Sequence, residues 1–166
     1  MNVKRSRNHT SHWFLIFVAA VIILIGGTSI IYHEVRQPVD SAKSQSLKIA
    51  KKYGHLKKET AFSWASYDQT YYTVTGTNQQ NTPIYVIISN NGKKVRIFKQ
   101  SAGINRNDVL KQVWNNDNPK KVTTISMGIF KKKPVWEVGY MNASGQLCLK
   151  TLNFKNGEVV RHVNNI

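Results

Sequence analysis

The stretch Pro83-Ile84-Tyr85-Val86-Ile87-Ile88-Ser89-Asn90-Asn91-Gly92-Lys93-Lys94-Val95-Arg96-Ile97-Phe98 decides the fold. Two apolar, β-branched runs flank an Asn-Gly pair, the strongest short-range signal for a β-hairpin, because both turn residues must tolerate positive φ. Upstream, Thr60–Tyr67 alternates through Phe62 and Trp64, and Tyr71–Gly76 is rich in aromatic, Thr and Val residues. Both read as strands. Further upstream the period changes. Ala42, Ser46, Ile49, Ala50 and Tyr53 fall on one face of a helix over Asp40–Tyr53, with Asp40 or Ser41 as its cap. Lys51 and Lys52 suit the last turn, Gly54 reads as the C-cap, and Pro38 as a break before the helix.

Downstream the pattern restarts. Asn105 caps a second helix, with Asp108 three residues on in a capping-box variant, and Val109, Leu110, Val113 and Trp114 as its apolar stripe. Asn118-Pro119 closes it. Four more strands follow at Lys121–Phe130, Pro134–Tyr140, Gln146–Phe154 and Glu158–Val163, joined by Lys131-Lys132-Lys133, Ala143-Ser144-Gly145 and Lys155-Asn156-Gly157. Tyr72-Thr73-Val74 lines up with Trp136-Glu137-Val138, and Asn91-Gly92 with Asn156-Gly157, at nearly the same offset, which indicates an internal duplication. Each half is a helix followed by four antiparallel strands, a cystatin-like α+β arrangement whose sheet buries one face on its helix and leaves the other exposed.

The N-terminal segment is different in kind. Trp13–Ile31 is nineteen residues without a charge. As a helix it reaches about 28 Å, close to the hydrocarbon thickness of a bilayer. Trp13 and Tyr32 sit at its ends, where amphipathic rings prefer the interface, and Lys4, Arg5 and Arg7 precede it with no acid. A single-pass helix is expected, N-terminus in the cytoplasm and C-terminal domains outside. The run is longer than a signal-peptide core, no A-x-A-like site or cysteine follows it, and no glutamate opens it as in pilin-type helices.

The 166 residues carry 24 Lys and Arg against 8 Asp and Glu, a net charge of +16. Such a field favours anionic surfaces and polymers. With the chain anchored in a membrane, nucleic acid is a poor partner, and lipid head groups or anionic wall polymer are the expected anions. The one cysteine, Cys148, excludes an intrachain disulfide and reads as a buried strand residue.

Catalytic patterns are missing. His9, His12, His33, His55 and His162 have no metal-ligand spacing, so no metal or cofactor is expected, and they read as solvated or interfacial. Glu137 on a strand and Asp68 in a turn could form a carboxylate pair, but nothing favours that over two surface acids. There is no Ser-x-x-Lys, Gly-x-Ser-x-Gly or phosphate-cradling glycine loop. No catalytic, cofactor-binding or metal-binding residue is therefore assigned, and the chain reads as a non-enzyme. Two features remain as candidate contact surfaces. Lys131-Lys132-Lys133-Pro134 is either a solvated turn that blocks edge association or an electrostatic contact. Of Phe62, Trp64, Tyr67, Tyr71, Tyr72 and Tyr85, most are expected in the core, and any on a solvent face would anchor a protein partner.

The basic tail, single span, Lys/Ala-rich helix and two units, the second reading Pro134-Val-Trp-Glu-Val-Gly-Tyr140 and Asn153-Phe-Lys-Asn-Gly-Glu158, resemble the TseB-like cell-wall elongation regulators of Firmicutes. The resemblance implies a PepSY-like second unit and an extracytoplasmic role in binding a class B penicillin-binding protein. The implied organisation is a cytoplasmic tail at 1–12, a transmembrane helix at 13–31, a first cystatin-like unit with its juxtamembrane stalk at 32–100, and a second cystatin-like unit at 101–166. The alternative is a basic surface protein binding anionic wall polymer or lipid head groups. Protease-inhibitory or chaperone modules are more distant readings.

Overall fold

The computed structural model describes residues 10–164, with side chains described at Phe14, at 16–21 and from Val39 onward. The chain divides into two compact units, Met1–Ser41 and Ala42–Ile166. Helix α1 spans Thr10–Gly54 and has residues in both. The break expected at Pro38 is absent. Helical backbone continues across it, since a proline removes one N–H from the ladder while the neighbouring turns keep theirs. Among the described residues no helix is long and apolar enough to cross a membrane. The span expected at Trp13–Ile31 lies largely outside the described side chains, and most of the expected cytoplasmic tail lies outside the described residues.

The second unit holds two four-stranded antiparallel sheets, each in simple chain order. The first sheet contains β1 (Leu56–Ser66), β2 (Thr70–Asn78), β3 (Pro83–Ser89) and β4 (Val95–Lys99). A 3₁₀ turn at Gln100–Ala102 leads to α2 (Arg106–Asp117). The second sheet follows as β5 (Lys121–Phe130), β6 (Lys133–Met141), β7 (Leu147–Asn153) and β8 (Val159–Asn164). The α+β class and the two helix-plus-four-strand units are as the sequence indicates. The registers agree with a duplication: Tyr72 pairs with Ile88 as Trp136 pairs with Leu152.

β1 starts four residues earlier than its alternation implies. Register shifts at Leu56/Lys58 and Glu59/Ala61 break the period, and Leu56 nevertheless closes the core beside Val74 and Ile84.

On one face of the first sheet lies the C-terminal part of α1. Ser46 and Ala50 are buried, and a Cβ on Gly54 would sit 2.8 Å from Val86 Cγ2. Three small residues at four-residue spacing thus let the helix approach Val74, Val86 and Ile88 closely. Gly54 serves that approach. The left-handed residue beyond the helix is His55, at φ 48°. Tyr53, expected on the buried face, is turned out and 53% exposed.

The other face of the first sheet is not open, contrary to expectation. Tyr71, Tyr85 and Ile87 share one core with Met127, Ile129, Trp136, Val138 and Phe154 of the second half and with Val109 and Val113 of α2. Tyr85 meets Trp136 edge-on at 5.4 Å and Phe154 at 5.9 Å. Such ring pairs add about 1 kcal/mol each beyond area burial. Thr73 Oγ1 donates to the Met127 carbonyl at 2.7 Å, pinning β5 against β2.

α2 is capped as expected: the Asn105 side chain accepts from the N–H groups of Asn107 and Asp108. Asn118 closes it at φ 42°, its N–H donating to the Trp114 carbonyl. Val109 and Val113 are fully buried, while Trp114, expected in the same stripe, is 46% exposed. The helix is tied to β7 by Lys150, which donates to both carboxylate oxygens of Asp117. Both side chains are nearly buried. Removing one partner of such a pair leaves an uncompensated buried charge. Asp117→Ala is expected to cost about 3 kcal/mol in denaturant unfolding, and Asp117→Ala with Lys150→Met to recover most of it.

Candidate functional site

Two surface grooves collect the residues that chemistry or recognition could use. The first lies where β1 passes β5, with a volume of about 360 Å³. Phe62, Trp64 and Ser66 line it from β1, Thr124 and Ser126 from β5, and Glu137 from β6. Trp64 stands opposite Tyr72 in the β1–β2 register. Phe62 stacks on Tyr72 at 6.0 Å and lies 6.3 Å from Trp64. Trp64 is 51% exposed, so a large apolar ring is presented to solvent on a rigid strand and supported by two more rings.

Of the six aromatics singled out in the sequence, Phe62, Trp64 and Tyr72 form this group, with Phe62 partly buried against the core beneath α1. Tyr71 and Tyr85 belong to the shared core, and Tyr67 packs against it. Alternation explains the division: Trp64 and Tyr72 point to one side of the sheet, and Ala65 and Tyr71 to the other.

Glu137, at the inner wall, has its carboxyl raised above the usual range by burial, partly offset by the Arg161 guanidinium. Beside it the Tyr67 hydroxyl is buried, with no hydrogen-bond partner among the described residues. Burial first and the Glu137 carboxylate second hold that phenol firmly protonated. Asp68, the other half of the conceivable carboxylate pair, lines a different groove, so the two acids are not brought together.

The second groove, about 320 Å³, runs beside the β5–β6 hairpin. Lys131 and Lys132 of the lysine run line it together with Lys94 and Arg96 from the β3–β4 hairpin. Lys133 lines an adjacent hollow of about 290 Å³ with Val135 and Val160. Lys94 and Arg96 were not evident as partners of the lysine run. The available signal was the alternation of Arg96 with Phe98, which places both on the face toward the second half.

The remaining candidates have structural roles. Cys148 is buried as expected. Tyr140 is buried and bonds His162 Nε2 at 2.8 Å. Its phenol is raised far above the ordinary value by burial and then by Asp117 and Cys148. His162 is otherwise exposed, as is His55, while the side chains of His9, His12 and His33 lie outside the described set. Among the described residues no group of His, Cys, Asp and Glu could hold a metal ion.

The described residues thus form an exposed aromatic group and a basic groove on a two-sheet frame. Residues 45–89, from the C-terminal part of α1 to the end of β3, match the family described as the cell wall elongation regulator TseB-like domain. Over 115 residues it is 26% identical to the Bacillus subtilis (strain 168) protein described as "Probable cell wall elongation regulator TseB", spanning 64% of this chain and 71% of that protein. The solved structure of the YpmB protein from Bacillus subtilis shares the fold, with a TM-score of 0.62 and 22% identity over 75% of this chain and 95% of that one.

Because Glu137 favours its protonated form in the fold, the folded chain keeps a proton that the unfolded chain releases near the ordinary value of 4.5. Its contribution to stability therefore falls as pH rises through and above that value. Glu137→Gln is expected to raise the midpoint of thermal unfolding at pH 7 and to leave it unchanged at the acid end, as read by calorimetry across pH.

Proposed function

We propose that this protein is a non-catalytic regulator of cell-wall elongation, held at the membrane by Trp13–Ile31 and acting outside the cytoplasm through its two cystatin-like units. Its partner in this reading is a class B penicillin-binding protein, and the contact is made by Trp64 with Phe62 and Tyr72. The exposed Trp64 is the observation that carries the reading. A half-exposed Trp supported by two rings at the lip of a groove has the composition and rigidity of an interface anchor. All three residues lie inside the stretch that matches the TseB-like family.

The anchor is supported by the charge-free run and by Phe14, Ile16 and Phe17, each about two-thirds exposed on α1. Apolar residues standing on a helix surface in this density need a nonpolar environment. The regulator reading is supported by the family match and by the burial of Cys148 and Tyr140, which removes the more reactive side chains from solvent.

In-cell photocrosslinking from position 64, followed by mass spectrometry, tests the proposal. A class B penicillin-binding protein that survives high-salt washing is expected. Trp64→Ala, with the crosslinker moved to position 62, is expected to reduce its recovery about thirtyfold, the scale of losing one aromatic hot spot. Because Trp64 is half-exposed, the same change should cost about 1 kcal/mol or less in folding stability. Recovery unaffected by Trp64→Ala, or a captured set without such an enzyme, would overturn the reading.

A further inference from the structure

The groove beside the β5–β6 hairpin has a feature that a solvated turn does not need. Phe130 pairs directly with Lys133, so Lys131 and Lys132 are the two residues of a two-residue hairpin turn. Both have positive φ, 48° and 66°. A turn of this kind favours Asn-Gly, since residues with a Cβ are disfavoured in the left-handed region. At the other left-handed positions in strand-connecting turns the chain uses Asn or Gly: Asn81 at φ 59°, and Gly92, Gly145 and Gly157 at 70°, 79° and 76°. Two lysines here are a local cost that a solubilising role would not require, because a lysine one residue further along serves that purpose without strain.

The strained turn is also held in place. Arg96 Nη1 donates to the Lys132 carbonyl at 2.7 Å, tying the tip of the second sheet to the edge strand of the first. Lys131 Nζ lies 5.5 Å from the centre of the Phe130 ring. Lys94, Arg96, Lys131 and Lys132 are all exposed and face one groove, with Asp68 as the only acid among its lining residues. Its floor includes Ile87 and Ile129.

We propose that this groove binds the phosphate groups of an anionic polymer. Three ammonium point charges and one guanidinium fork suit phosphate oxygens. A volume of about 320 Å³ is several times that of one phosphate, so successive groups of a chain fit together. The surrounding field adds to this, with twenty Lys and Arg against six Asp and Glu over residues 42–166. The inference does not depend on the regulator reading, since Trp64 lines the other groove.

The test uses the full chain in neutral phosphatidylcholine nanodiscs and end-labelled inorganic polyphosphate, with binding read by fluorescence anisotropy at low and physiological salt. Lys131→Asn with Lys132→Gly installs the preferred turn residues and removes two charges. This variant is expected to weaken polyphosphate binding by about tenfold or more. It is also expected to melt at a higher temperature than the parent, so lost binding cannot come from lost folding. Lys51→Gln with Lys52→Gln removes the same charge from the last turn of α1 and is expected to change affinity by about twofold at most. Four outcomes would overturn the proposal. They are equal weakening by both variants, a variant turn that melts lower than the parent, tighter binding of poly-glutamate than of polyphosphate, and binding to phosphatidylglycerol vesicles without binding to polyphosphate.

Discussion

β3 is covered on both faces, and the rest of the structure depends on that. Val86, on one side, is fully buried under α1, and Ile87, on the other, is 1% exposed beneath the second half of the chain. A sheet needs only one covered face to be stable, and the second usually meets water. Here the second face carries Tyr71, Thr73, Tyr85 and Ile87, and water there would face a large apolar area. The second helix-and-sheet unit covers it. The interior of residues 42–166 is therefore a double layer around one central strand, with α1 on the outside of one face and β5 laid across the other.

Sharing a core breaks the equivalence of the two halves. Their strand order and central registers agree, and Val74, Ile84 and Ile88 correspond to Val138, Cys148 and Leu152. Val86, however, corresponds to Lys150. The first helix meets its sheet through small residues, Ser46, Ala50 and Gly54, and packs tightly on Val86. The second meets its sheet through Val109 and Val113, and its last turn places Asp117 over Lys150. A buried ion pair of this kind is better understood as fixing the position of α2 than as adding stability, because desolvating two charges offsets most of their attraction.

Both candidate recognition surfaces arise at the rim where the halves meet. Laying β5 against β1 opens the groove under Trp64 and brings Glu137 to its wall. The same packing brings the β5–β6 tip against β4, so that Arg96 reaches the Lys132 carbonyl and a basic groove closes between them. Neither surface exists in one half alone. The two-sheet frame thus carries an aromatic surface and a cationic surface that can be altered independently.

The local elements were legible in the sequence, because they rest on short-range physics. The Asn-Gly hairpin, the Asn105 cap, the Asn118-Pro119 stop, the eight strands and the duplicated order follow from turn stereochemistry, capping and period. Among the aromatics the sequence indicated only that most would be core; which of them face solvent, Trp64 above all, was decided by the packing. What the sequence could not determine was which faces would meet. The unbroken apolar run Ile84–Ile88 is the trace of two-sided burial, yet the same run suits a strand covered on one face only. Tyr53 and Trp114 have the spacing of core residues and are nevertheless exposed, because the depth of each helix against its sheet is set by other side chains. Lys94 and Arg96 lie more than thirty positions from the lysine turn, and only the docking of one sheet on the other brings the four cations to one groove. Such contacts join residues distant in the chain, and complementarity of packed surfaces selects them where local propensity does not.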